Sequence, residues 1–150
     1  RPQLLDRFGL SVKVGSPSKI PERVEVVKRR DDFEQDPDAF LKKWRRKDLA
    51  IRKKILKARN NLTNVRLDDK ILSKCAELCI SIGSDGLRGE LTLLRTLRAF
   101  TAYKEKIDAE LSDLKEIAVH TLSHRLRRDP LDESSSEMRV ERKINELLNG

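Results

Sequence analysis

Aromatic side chains are scarce in this sequence, 4% of 150 residues, with one Trp and one Tyr. Sheets are built largely from β-branched and aromatic residues, so this shortage argues against a sandwich or barrel and for packed amphipathic helices. Glycine and proline are also few, six and five, and each falls where a helix would begin or end. No apolar run approaches the roughly 20 residues of a membrane span, which excludes a helical integral membrane protein. No secretory leader is visible, and a chain opening at Arg1 without Met is expected to be a soluble fragment that has lost its beginning. The two cysteines, Cys75 and Cys79, lie in an apolar helical stretch and suggest reduced thiols in a cytoplasmic protein.

Chemical signatures are missing as well. There is no G-x-x-x-x-G-K-[ST] phosphate loop, no apolar strand ending in a paired Asp-Glu, and no nucleophile, base and orienter set. These residues are therefore not expected to hydrolyse a nucleotide alone.

Charge is what the chain has in abundance: 39% of residues are charged, and the net charge is +8. Residues 42 to 59 carry ten Lys or Arg against the single Asp48, leaving the remainder near neutral. Such a helix could follow a phosphate backbone. However, Trp44 belongs to its apolar stripe and no aromatics are interleaved for base stacking. A solvated face, or a docking surface for an acidic protein, fits the pattern better, and no nucleic-acid partner is expected.

Periodicity predicts a mainly α fold, a helical bundle preceded by one short β-strand. Leu10, Val12 and Val14 alternate with Ser11 and Lys13, which reads as the strand. A helix follows in the stretch 15–30, with Pro21 in its first turn. Asp36 can cap the next helix, which should run from about Pro37 to Arg59 with the stripe Phe40, Trp44, Ile51, Ile55, Ala58 and Leu62. Asp68 or Asp69 can cap a buried helix through Ile71, Leu72, Cys75, Leu78, Cys79 and Ile82, which the glycine-rich "GSDGLRGE" breaks. A helix through Leu91, Leu94, Leu97 and Ala102 ends near Tyr103, and another runs from Glu110 to Arg127. "DPLDESSS" is a hinge, and Ser134 with Glu137 matches a capping box before a last helix through Val140, Ile144, Leu147 and Leu148.

Three groups could carry chemistry. Cys75 and Cys79, with His120 and His124, offer four soft ligands. The thiols fall on a buried face, however, and the histidines share a stripe with Asp113 and Glu116 that reads as solvated, so no metal site is expected. Arg7 stands between Asp6 and a Phe-Gly turn; it suits either an arginine presented to a ligand or an ordinary surface ion pair. Arg88 opens a helix, where free N–H groups and the dipole meet phosphates and an arginine adds a charged, planar fork. Equally, Arg88 could pair with Asp85 or with a helix end.

"RPQLLDRFGL", "GSDGLRGELTLLR" and "LSHRLRRDPLDE", in this order and spacing, resemble the C-terminal half of the magnesium chelatase ATPase subunit of the AAA+ family, in its purple-bacterial branch. The likeness runs from Arg1 to about Glu133. It implies three segments: 1–16, the end of the AAA+ core; 17–62, connecting helices including the basic one; and 63–150, the helical lid. It also implies that Arg7 is the arginine finger reaching the γ-phosphate of ATP in a neighbouring subunit, with Asp6 orienting it, and that Arg88 is sensor 2, also acting across a subunit boundary. "HRLRRDP" matches the family but receives no chemistry. The phosphate loop and Mg²⁺-binding acids would precede Arg1, so ATP and Mg²⁺ would be bound mainly outside this segment. Implied partners are identical subunits in a ring, a second AAA+ subunit and, through it, the porphyrin-binding subunit. The implied activity is coupling of ATP hydrolysis to Mg²⁺ insertion into protoporphyrin IX. Two alternatives are the AAA+ module of the second chelatase subunit and a non-enzymatic basic module that binds nucleic acid.

Overall fold

A computed structural model describes residues 7–84, 87–126 and 136–148. They form helices α1 (Ile20–Gln35), α2 (Pro37–Asn61), α3 (Asp69–Ser81), α4 (Arg88–Tyr103), α5 (Leu111–Leu122) and α6 (Ser136–Leu148), with 3₁₀ turns at Leu62–Asn64 and Ser123–Arg125. The mainly α expectation holds. The strand through Leu10, Val12 and Val14 does not form, and all three side chains are exposed. A strand needs a neighbour to take its N–H and C=O groups, and the described residues contain none. Instead the Ser11 N–H donates to the His120 carbonyl at 2.8 Å.

Helix ends follow local chemistry. Pro21 sits in the first turn of α1, and the Ala39 N–H donates to Asp36 Oδ1 at 2.9 Å as α2 begins. Asp68 caps α3 by accepting from the Ile71 N–H at 2.8 Å. That helix stops at Gly83, whose φ of +71° suits glycine. There the Ser84 N–H reaches back to the Cys79 carbonyl and the Gly83 N–H to the Ile80 carbonyl, each at 3.0 Å. This is a Schellman stop. The capping box expected at Ser134 lies outside the described residues.

The chain divides into two compact units, Arg1–Val12 with Lys57–Gly150, and Lys13–Leu56. In the larger unit, Ile71, Cys75, Leu78 and Cys79 of α3 meet Leu93 and Leu97 of α4, Leu114, Ile117, Ala118 and Leu122 of α5, and Val140, Ile144 and Leu148 of α6. Leu93 takes the core position expected of Leu91, which is exposed. A second cluster joins Ala58, Val65 and Ala102. Beside it Arg66 grips Asp108 with two bonds, at 2.8 and 3.0 Å, which raises the guanidinium pKa above its ordinary value.

Asp113, expected on a solvated stripe, is wholly buried. It occupies the third position of α5, where its carboxylate accepts from the Glu110 N–H at 3.1 Å in a reciprocal capping box. Lys104 at 3.1 Å and Lys106 at 3.3 Å supply compensating charge. Burial pushes its pKa up, but the bonds from Lys104, the Glu110 N–H and Lys106 outweigh that and hold the carboxyl below its ordinary value. Lys104 also pairs with Glu116.

The smaller unit has almost no core. Within it Phe33 meets Phe40 edge-on at 5.6 Å, and Phe40 meets Trp44 at 5.9 Å. Arg29 and Lys47 lie over the indole at 4.8 and 4.3 Å. Ile51 and Ile55, both in the expected stripe, remain exposed; across all of α2 only Ala58, in the last turns, is buried.

Candidate functional site

Within the larger unit, residues distant in sequence converge on the first turns of α4. Arg88 is the first residue of that helix and is exposed. Its neighbour Gly89 is buried against the end of α3: a Cβ there would stand 2.4 Å from Ser84 Oγ and 3.3 Å from Ser84 Cβ. Glycine therefore lets α4 begin hard against the Schellman turn, and this contact determines where Arg88 leaves the fold. Thr92, one turn on, donates its hydroxyl to the Arg88 carbonyl at 2.7 Å.

Arg7 is also exposed, in a turn at the start of the described residues. Two residues later Gly9 lies along α4, since a Cβ on it would touch Thr92 Cγ2 at 3.7 Å. Between them, the Phe8 carbonyl accepts two bonds, from His124 Nε2 at 2.9 Å and Arg125 Nη2 at 2.8 Å. The carbonyl can only accept, so His124 carries its proton on Nε2. Its Nδ1 is buried with no partner among the described residues. Arg125 reaches further: Nη2 lies 3.4 Å from Thr92 Oγ1, and Nε donates to the Thr121 carbonyl at 3.2 Å. One guanidinium thus ties the Arg7 segment, the first turns of α4 and the end of α5 together.

The backbones that carry Arg7 and Arg88 accordingly share one corner. Asp6 and Asp85, the carboxylates expected to pair with them, lie outside the described residues. His124 and Arg125 were the unassigned part of "HRLRRDP". Their link to Phe8 spans 116 and 117 positions, and no local spacing signals such a contact.

The cysteines have a different role. Burial raises Cys75 to about 11. Cys79 is pushed up to about 12, by burial first and then by Glu90 and Cys75, against the pull of Arg125. Both are free, neutral core thiols. The described residues contain no group of three or more His, Cys, Asp or Glu side chains that could hold a metal ion, and no described helix is long and apolar enough to cross a membrane.

Residues 72–146 match the AAA lid domain family. The chain is 55% identical over 148 residues to the magnesium-chelatase 38 kDa subunit of Rhodobacter capsulatus, covering 99% of this chain and 42% of that protein. It is 53% identical over 148 residues to the subunit of the same name from Cereibacter sphaeroides, covering 99% of this chain and 44% of that one. The chain thus spans less than half the length of these curated relatives. In fold, it is similar to the crystal structure of a proposed ATPase from Cytophaga hutchinsonii, with a TM-score of 0.68 at 16% identity, over 97% of this chain and 47% of the other.

Proposed function

The chain belongs to the AAA lid domain family, and on that premise we propose that it supplies the lid and the inter-subunit arginines of the ATPase motor of a magnesium chelatase. The observation that carries this reading is the 55% identity to a magnesium-chelatase subunit over 148 residues. On this reading 63–150 is the lid, 17–62 the connecting helices, and 1–16 the end of the AAA+ core. The motor couples ATP hydrolysis to Mg²⁺ insertion into protoporphyrin IX. Its partners are identical subunits in a ring, a second AAA+ subunit and, indirectly, the porphyrin-binding subunit. The cytoplasm is its compartment, in keeping with two free thiols.

Arg7 acts as the arginine finger and Arg88 as sensor 2. Both side chains suit a triphosphate: each is exposed, permanently charged, and able to offer two parallel N–H donors to phosphate oxygens. Arg88 adds the dipole at the start of a 16-residue helix. Most of the ATP and Mg²⁺ contacts belong to the part of the relatives that this chain does not span. The role of Arg7 is electrostatic: charge spreading onto the transferred phosphoryl oxygens meets a guanidinium already in place.

The test is Arg7→Ala in the intact subunit. Loss of an arginine finger costs on the order of 10³ to 10⁵ in turnover, so ATP hydrolysis and chelation should vanish while ATP still binds. Hydrolysis at the unmutated rate would overturn the assignment.

A further inference from the structure

We propose that His124 and Arg125 are positioning residues that hold the Arg7 segment against the first turns of α4, so that Arg7 and Arg88 meet their ligand as one preset pair. The proposal rests on the roles given above to Arg7 and Arg88, and adds the element that joins them. Three observations carry it. The Phe8 carbonyl, adjacent to Arg7, takes two side-chain donors at 2.9 and 2.8 Å. Arg125 also reaches Thr92, whose hydroxyl is bonded to the Arg88 carbonyl at 2.7 Å. No described strand anchors residues 7–12; beyond the donors on Phe8, the Ser11 N–H bonds the His120 carbonyl, from the same end of α5.

The chemistry suits positioning better than catalysis. Among the described residues, both side chains donate to backbone carbonyls, and Arg125 also to a hydroxyl. His124 Nε2 is committed to Phe8 and its Nδ1 is enclosed, while Arg125 divides its donors among Phe8, Thr121 and Thr92. A carbonyl beside an exposed arginine is an economical place to act, because fixing one peptide plane limits where the next side chain starts. An arginine displaced by about 1 Å loses much of its effect on the transition state, on the order of 10²-fold in rate. Two donors from one turn give that restraint through the Phe8 carbonyl.

The experiment compares Arg125→Gln, His124→Leu, His124→Gln and Arg7→Ala in the intact subunit. It reads kcat and KM for ATP, the melting temperature, and hydrogen exchange at the Ser11 amide. Losing the guanidinium donors should lower kcat about ten-fold in Arg125→Gln, and losing the single imidazole donor about three- to five-fold in His124→Leu. KM should stay within about two-fold, and Ser11 exchange should accelerate while core amides keep their protection. His124→Gln, whose amide can donate to the same carbonyl, should recover most of the activity. Equal loss in His124→Leu and His124→Gln, tracking the melting temperature, would make the pair merely structural and overturn the proposal. Unmutated kcat in both Arg125→Gln and His124→Leu, beside an inactive Arg7→Ala, would overturn the positioning role and leave the finger standing. An active Arg7→Ala would remove both.

Discussion

The two units of this chain are both built from helices, and their apolar side chains meet different fates. In Lys57–Gly150 four helices enclose Leu78, Leu93, Leu97, Leu114, Leu122 and Val140 so completely that none is accessible to solvent. In Lys13–Leu56 Ile20, Val24, Val27, Leu41, Ile51 and Ile55 are exposed, and side chains stack around Trp44. Periodicity says which face of a helix is apolar; whether that face becomes core depends on what else covers it. Burial therefore divides unevenly, and the backbones that carry Arg7 and Arg88 rest on the well-packed unit.

The largest test of this contrast is a matched pair of truncations. Leu122→Ala, at a site with no solvent exposure, should cost about 3 kcal/mol through lost burial and the cavity left behind. Ile55→Ala, 46% exposed, should cost under about 1 kcal/mol. Urea unfolding followed by circular dichroism measures both, and equal costs would break the comparison. Because Leu122 immediately precedes the turn carrying His124 and Arg125, its truncation should also loosen the Phe8 contact.

The middle test is Asp113, a buried charge on which α5 begins. Its carboxyl is held below its ordinary value, so its stabilising effect is fully present above the unfolded value near 4 and is lost as pH falls through the lower folded value. Asp113→Asn should therefore cost about 2 kcal/mol at pH 7, the worth of bonds to a charged acceptor, and the gap from the unmutated protein should close under strong acid. Thermal melts at pH 7, 4 and 2 decide it; a gap independent of pH would mean that shape, not charge, holds the turn.

Much of this was legible in the order of residues. The caps at Asp36 and Asp68, the glycine stop at 83 and the α3 face of Ile71, Cys75, Leu78 and Cys79 are local chemistry, and local chemistry reads well. Arg7 and Arg88 were singled out by the family likeness and by the place of Arg88 at a helix start. What could not be read depends on partners far along the chain. Alternation at 10–14 looks like a strand until one asks what pairs with it. Asp113 looks solvated by helical spacing until Lys104 and Lys106 are brought beside it. The bonds from His124 and Arg125 to Phe8 cross nearly the whole sequence.

The smallest effect should come from the smaller unit's surface. Glu25 and Arg29 are bonded at 2.8 Å, four residues apart on α1, with both side chains more than half exposed. Such pairs contribute little, because water already solvates both charges and each side chain loses freedom on pairing. Arg29 also lies over Trp44, so Glu25→Gln removes the ion pair and leaves that stacking. Trp44 is the only tryptophan in the chain, and its fluorescence therefore reports this unit alone. The Trp44 melting transition should move by no more than about 2 °C in Glu25→Gln, and added salt should narrow the difference. Arg29→Ala should move it further, because stacking on the indole is lost along with the ion pair. If instead Glu25→Gln shifted the transition as far as Arg29→Ala, the surface charges would act as a network, and the smaller unit would owe its order to electrostatics rather than to stacking on Trp44.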